Sequence, residues 1–454
     1  MPANVRQGNF MSGIQQFFKE HGIAECEAII PDMAGVARGK VMPAAKFAEE
    51  EGMRLPESIF LQTVTGDYPD EERAISPSEI DVVMKADPST VRVVPWAAEP
   101  TASVIHDSFY SDGRPVTMAP RYVLQHVLEL YAQHGWDPVV APELEFYLVE
   151  PNTDSDYPLK PPIGRSGRPE VGRQSYSIAA VNEFDPMFDD MYAFCEAQDI
   201  EIDTLIHEDG AAQMEINLLH GNAMSLADQV FLFKRTAREA AMRHKMYATF
   251  MAKPMAREPG SAMHIHQSIV DRRTGNNVFS DTEGRPSPLF FSHIAGLQKY
   301  LPAAMSLFAP NVNSYRRITR HYSAPINTQW GYDNRTAGLR VPVSNPKNRR
   351  VENRIAGADA NPYLAIAASL ACGYLGMVEG LKPSEPITGS AYDLPFSLPR
   401  NIEDSLRLLR DCRPLIEILG ERFVIAYAAV KENEYETFLQ VISSWEREHL
   451  LLNV

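Results

Sequence analysis

Carboxylates recur at strand spacing along this chain. In Pro142-Glu143-Leu144-Glu145-Phe146-Tyr147-Leu148-Val149 the glutamates Glu143 and Glu145 are two residues apart. In a strand both leave one face while Leu144, Phe146 and Leu148 take the other. Like charges that close repel unless a cation joins them; taken alone, the pair also fits a solvated outer face. Glu208 and Glu215, in HEDGAAQMEI, are seven apart. The turn signal Asp209-Gly210 predicts a reversal centred on Ala211-Ala212, which would make the two glutamates direct cross-strand partners. The alternative is that no reversal exists and both are loop acids. In SAMHIHQSIV, His264, His266 and Ser268 share a strand face opposite Met263 and Ile265. Near the end of the chain, Arg350, Glu352 and Arg354 alternate with Val351 and Asn353. A carboxylate between two guanidiniums on one face is not ordinary core, and a phosphate with its divalent metal would suit all three.

Five glutamates and a histidine could together form two adjacent oxygen-rich cation sites. Hard carboxylate ligands select Mg²⁺ or Mn²⁺, whereas zinc prefers more nitrogen or sulfur. Arg317, Arg335, Arg340, Arg350 and Arg354 add positive charge that never deprotonates and grips phosphate or carboxylate bidentately. Singly, each also fits a surface ion pair. The combination points to phosphoryl transfer, which needs bridged phosphates and arginines rather than covalent machinery. No nucleophilic triad is visible, and the GxGxxG and GxxxxGK[ST] cradles are absent.

These residues need strands to present them, and the chain has room for a large core. Its 454 residues are 44% hydrophobic and 22% charged, which is ordinary globular composition. With 43 basic and 59 acidic residues the formal charge is −16, so no basic stripe offers itself to a nucleic acid. Cys26, Cys195, Cys372 and Cys412 lie far apart with no CxxC, which fits a reducing compartment. The N-terminus has no signal-peptide pattern, and the apolar stretch Leu364 to Val378 is shorter than the ~20 residues of a membrane span, so it reads as a buried helix. A cytoplasmic protein without membrane association is expected.

Short strands and turns are expected from about Cys26 to Thr101, around Ala28-Ile29-Ile30, Val82-Val83-Met84 and Val91 to Val94. The turn cluster Ser111 to Pro115 precedes a helical pattern at Val123, Leu124, Val127, Leu128 and Tyr131, which puts a domain boundary there. The expected division is residues 1–115 and 116–454. A strand near Glu143 to Val149, a Pro/Gly-rich functional loop from Asn152 to Gly172, a helix from about Leu226 to Tyr247 and a strand from His264 to Val270 follow. The last hundred residues read as mainly helical.

These segments, in this order, resemble the glutamine synthetase family. PELEFYL is similar to its first metal-binding strand, HEDGAAQMEI to its paired-glutamate segment and KPMAREPGSAMHIHQS to its nucleotide signature. NSYRRI, DNRTAGLRVP, NPKNRRVENRIAGADANPYLA and AYDLP complete the match, which runs from Asp32 onward. The resemblance implies an α+β protein: a small N-terminal β-grasp domain, then a large catalytic domain with a curved antiparallel sheet and helices. It implies an active site completed by a neighbouring subunit, typically in a dodecamer. It also implies ATP and two or three Mg²⁺ or Mn²⁺ per site, with Glu145, Glu208 and Glu215 at one cation and Glu143, His264 and Glu352 at another. His266, Ser268 and Lys347 would contact ATP, Arg335, Arg340 and Arg350 the phosphates, and Arg317, Arg354 and Gly260 glutamate. The catalytic charges expected are Arg350, Arg340 and Glu208.

Two departures bear on the amine. Ser323 stands where glutamine synthetases carry a flap glutamate that helps take a proton from ammonium. Phe60 to Gly66 stands where ammonium-using members carry an aspartate in a DGSS-like turn. The resemblance is therefore strongest to the γ-glutamylpolyamine branch, which joins glutamate to putrescine or related amines through a γ-glutamyl phosphate. Ser323 and Tyr176 are expected in the amine pocket. Tyr392, in AYDLP, matches a tyrosine that is adenylylated in some bacterial members; a structural loop is the role expected here.

Overall fold

The structure, a computed structural model, describes residues 13–50, 52–71, 74–75, 78–320 and 324–454. Alternation in the N-terminal part builds six strands: β1 (Glu25–Pro31), β2 (Ala37–Pro43), β3 (Gly52–Pro56), β4 (Asp81–Ala86), β5 (Arg92–Val93) and β6 (Thr101–Phe109). They form one mixed sheet in the order β2-β1-β6-β4-β3, with β5 also on β6. The β1 and β6 strands run parallel, while the other pairs are antiparallel. Ala28, Phe47, Val82, Met84 and Val104 fill one side of this sheet and are fully buried. The turn between β1 and β2 is set by Asp32, whose carboxylate accepts the Ala34 and Val36 N–H groups at 2.9 and 2.8 Å and Arg38 Nε at 2.8 Å.

A second sheet carries the residues singled out above. Its strands are β7 (Trp136–Val149), β8 (Ile202–His207), β9 (Gln213–Leu218), β10 (Gly221–Asn222) and β11 (Tyr247–Thr249). They continue as β12 (Met263–Asp271), β13 (Trp330–Tyr332), β14 (Leu339–Val341) and β15 (Val351–Asn353). The order is β13-β14-β15-β12-β7-β9-β8, with β10 and β11 also against β7. The expected antiparallel sheet is present with one exception, because β13 and β14 pair parallel. A register shift between Ile202 and Thr204 interrupts the β8 edge, the kind of irregularity that bends a strand.

Helices Pro120–Gln133, Ala223–Arg243, Pro288–Phe308 and Pro362–Glu379 surround a shared core with the strands. The first has the expected apolar face, with Val123, Leu124, Val127 and Tyr131 buried. The second ends at Arg243, earlier than expected, because Lys245 turns left-handed with φ +58° and frees Tyr247–Thr249 to pair with β7. Helix Pro362–Glu379 is apolar and long enough to cross a membrane, yet it lies inside the protein. Its packing on Pro288–Phe308 is close: a Cβ on Gly296 would stand 2.6 Å from Gly376 Cα.

One buried arginine joins the small sheet to the helices of the larger one. Arg121 reaches Asp107 of the small sheet and Asp87, just past β4, at 2.5 Å each, and Asp228 of helix Ala223–Arg243 at 3.1 Å. Tyr363 adds a hydrogen bond to Asp228 at 2.6 Å. Removing the guanidinium strands three carboxylates where the small sheet meets helix Ala223–Arg243. Arg121→Met is therefore expected to cost about 3–5 kcal/mol of unfolding free energy, to be read by urea denaturation; a loss under about 1 kcal/mol would contradict this role.

Candidate active site

The β7 alternation does what its pattern predicts: Leu144, Phe146 and Leu148 are fully buried in the core while Glu143, Glu145 and Tyr147 leave the opposite face. Neighbouring strands then stack charge against that face by register. Glu145 stands opposite Glu215 on β9, Glu143 opposite His264 on β12, and His266 opposite Glu352 on β15. The predicted reversal after Glu208 exists, but its register differs. Gln213 N–H closes on Gly210 O at 3.0 Å, and the Glu208 N–H pairs with Gln213 O at 2.8 Å. Glu215 consequently opposes Ile206, not Glu208. The turn is centred on Ala211-Ala212 as expected, with Ala212 at φ +56°, but the strands that flank it pair two residues out of the expected register. A two-residue slip preserves the face, so Glu208 still joins Glu145 and Glu215, with ligand atoms all within 4.8 Å of one another.

The other expected cation group is arranged differently. Glu143 is shared: one cluster combines it with Glu215 and His264, another with His266 and Glu352. His264 Nδ1 lies 3.3 Å from Glu143 and 3.8 Å from Glu352. His266 Nδ1 accepts from Arg350 Nε at 3.1 Å, so its Nε2 carries the proton donated to Glu143 at 2.8 Å.

The arginines divide by burial. Arg340 donates to Glu352 at 2.8 Å and to Asp333 at 2.5 Å, and Arg354 pairs with the second oxygen of Glu352. Arg317 is buried and fixed by the carbonyls of Ile355 and Arg354 at 2.8 and 3.0 Å. Gly260 makes room for it: a Cβ there would fall 2.6 Å from Arg317 Cγ. Arg335 is exposed, but its charge acts on Glu208. Ser268 continues the histidine face of β12, half-buried. Lys347 is exposed on a short turn, where its carbonyl accepts from Asn277; among the described residues no contact draws its ammonium into the cluster.

Tyr176 lies beside the Glu208 turn, left-handed at φ +62° and 63% exposed, and its N–H bonds His207 O at 2.9 Å. Ser323 is outside the described residues. The Tyr392 hydroxyl is buried in the turn Ala391–Asp393, near Arg354 and Arg317. Sequence reading passed over Gln213, whose amide donates to Glu145, Gly260 O and Ser261 at 3.4, 3.0 and 3.3 Å. It also missed Glu170 and His207, since an isolated acid in an irregular loop carries no periodic signal. A polar residue between the paired glutamates was the one available clue to Gln213.

Electrostatics separates the carboxylates. Burial, then repulsion from Glu208, pushes Glu145 up to about 8. Burial and four surrounding glutamates raise Glu215 well above its usual range. Glu352, despite burial, is held at about 2 by Arg354 and the two histidines. Glu143 is likewise held low, against burial, by hydrogen bonds from the histidines. Burial and then Arg354 lower His264 to about 4, which leaves it neutral. Oxygen donors in excess, crowded and short of positive charge, fit a hard divalent cation, with Glu145, Glu208 and Glu215 as one set of ligands.

Glu145 and Glu215 keep their protons to higher pH folded than unfolded. The cation-free protein should therefore lose stability as pH rises from 4.5 toward about 8. A divalent cation displaces those protons. Thermal stabilisation by Mg²⁺ or Mn²⁺ is expected to be larger at about pH 8 than at about pH 6; equal shifts in melting temperature would count against a carboxylate cation site.

Comparison with known proteins agrees with this arrangement. Residues 117–450 match the glutamine synthetase catalytic domain. The γ-glutamylputrescine synthetase of Escherichia coli (strain K12) is 36% identical over 436 residues, covering 94% of this chain and 91% of that protein. A glutamate–isopropylamine ligase of Pseudomonas sp is 33% identical over 445 residues, covering 95% and 96%. The solved structure of ligand-free GmaS superposes with a TM-score of 0.82 at 27% identity, covering 96% of this chain and 98% of that one. The mixed helix-and-sheet fold with its charged strand face is the glutamine synthetase fold, and the chain belongs to the glutamine synthetase family of ATP-dependent ligases.

Proposed function

We propose that this protein joins the γ-carboxylate of L-glutamate to a polyamine such as putrescine, using ATP and Mg²⁺ or Mn²⁺, as a step in polyamine breakdown. The observation that carries the reading is the shared charged face of β7, β9, β12 and β15 in a chain with serine in place of the flap glutamate at 323. Similarity to two ligases named for amines larger than ammonia supports the choice of amine.

In the first step a γ-carboxylate oxygen attacks the terminal phosphorus of ATP, the bond to ADP breaks, and a γ-glutamyl phosphate forms. Arg350 and Arg340 face the phosphoryl group and offset its charge, with Arg335, His266, Ser268 and Lys347 on the nucleotide. Glu145, Glu208 and Glu215 would hold one divalent cation and Glu143, His264 and Glu352 another, two or three per site in all, and these would screen the charge between the two anions. Arg317, Arg354 and the backbone at Gly260 hold glutamate. In the second step the amine nitrogen attacks the γ-carbon, the bond to phosphate breaks, and the amide forms. An alkylammonium has a pKa of about 10, so it must first lose a proton. Glu208 takes it, standing on the turn whose His207 carbonyl accepts the Tyr176 N–H at 2.9 Å. Tyr176 and Ser323 border the amine.

The division at residue 115, a cytoplasmic location and a homo-oligomer, most simply a dodecamer, with sites shared between subunits belong to the same reading. Phosphate release with ATP, Mg²⁺ and glutamate is to be measured against ammonium, putrescine, cadaverine, spermidine and isopropylamine. Putrescine or another polyamine is expected to exceed ammonium by at least about tenfold in kcat/KM, or about 1.4 kcal/mol. Ammonium matching the best amine would make this a glutamine synthetase, and isopropylamine leading would replace the polyamine. Glu352→Ala is expected to lower phosphate release at least about a hundredfold, and undiminished turnover would remove Glu352 from the site.

A further inference from the structure

The loop between β7 and β8 returns to the active site at residues 170–176 and is fastened to the 207–212 turn at several points. Glu170, with its side chain 5% exposed, accepts the Ala212 N–H at 2.8 Å and meets His207 Nε2 at 3.1 Å. His207 is fully enclosed and turns its Nδ1–H to the Glu208 carbonyl at 2.7 Å. Asp209 accepts from Ser175 at 2.8 Å and Arg173 at 3.1 Å, and the Tyr176 N–H bonds His207 O at 2.9 Å. The other Glu170 oxygen is buried without a partner among the described residues. An apolar side chain would pack there without that cost.

We propose that Glu170 and His207 are positioning residues that hold the amine-side loop and the Glu208 turn as one unit. The carboxylate of Glu170 ties Ala212, at the left-handed end of the turn, to His207 at its start. Glu208 lies between these two anchors, and Tyr176 hangs from the same His207. Fastening both ends fixes where Glu208 points relative to Glu145 and Glu215 and where Tyr176 stands over the turn. Amine binding and cation binding are thereby coupled through a group that touches neither, while the nucleotide side, built on β12, β14 and β15, is independent of it. This assignment rests on the amine-ligase reading for its kinetic consequence only.

Glu170→Ala removes the clamp, whereas Glu170→Gln keeps an oxygen at the one position that both accepts from Ala212 and meets His207, and loses only the charge. With ATP, glutamate, Mg²⁺ and putrescine, Glu170→Ala is expected to raise both the amine KM and the Mg²⁺ activation constant about tenfold, with the ATP KM within about twofold. Amide hydrogen exchange at Ala212 and Tyr176 should accelerate about tenfold in the same variant, and Glu170→Gln should return all three readouts to within about threefold of wild type. Ser175→Ala, at an exposed fastening, should shift the amine KM in the same direction by less, and serves if Glu170→Ala does not fold. Unchanged amine KM and exchange in Glu170→Ala, or a rise in ATP KM equal to that for the amine without rescue by glutamine, would overturn the proposal. A wild-type enzyme silent with every amine would sink the functional reading instead, leaving exchange to decide the clamp.

Discussion

Glutamate facing glutamate across a sheet is the constraint around which the rest of this structure is organised. Glu145 and Glu215 are direct partners in the β7–β9 register, both are nearly buried, and Glu208 and Glu143 crowd the same face. Desolvating even one carboxylate costs several kcal/mol, so such a face persists only where something offsets it. The fold supplies part of the offset as fixed arginine, with Arg354 and Arg340 on Glu352, and part as hydrogen bonds, with Gln213 and the Ala262 N–H on Glu145. The remainder is what a divalent cation provides. A sheet that has to stay rigid under this repulsion explains the heavy apolar packing behind it, where Leu144, Phe146 and Ile216 are fully enclosed.

The two sides of the site are built from different materials. Strands carry Glu143, Glu145, Glu215, His264, His266 and Glu352, so the spacing of these groups is set by backbone hydrogen bonds and hardly depends on side-chain contacts. Glu208 and Tyr176 stand on a turn and a loop, and these need local fastening because they have no ladder to hold them. Residues 170–176 and 207–212 have such fastening in abundance, through a buried ionisable pair and the paired Asp209. On the proposed function, this division lets the phosphoryl-transfer side remain fixed while the acceptor varies. The relatives illustrate such variation, being named for putrescine in one case and isopropylamine in another.

Much of the site could be read in advance because a strand has period two. Glu143 with Glu145, His264 with His266, and Arg350 with Glu352 and Arg354 were assignable to common faces without knowing any neighbour, and the faces hold. The turn after Glu208 was also legible as a turn. The strand register around it was not, because Glu208 pairs with Gln213 across the Ala211-Ala212 turn, and the Gln213 side chain that accepts the Gly210 N–H at 3.0 Å holds that arrangement. The helix ending at Arg243 instead of Tyr247 has a similar cause, a local left-handed residue decided by the demand of β7 for another strand.

What the sequence determined by itself is composition and facing: which residue types exist, which share a side of a strand, and hence that acids, histidines and arginines were destined for one chemistry. Tertiary structure decided partnership. It opposed Glu145 to Glu215 instead of Glu208 to Glu215, made Glu143 common to two clusters, and brought Glu170 from an irregular loop to brace the Glu208 turn. The reason is one of range. Facing follows from the covalent geometry of a few successive residues, whereas register and loop return depend on contacts between segments tens of residues apart, whose energies only the assembled core can weigh.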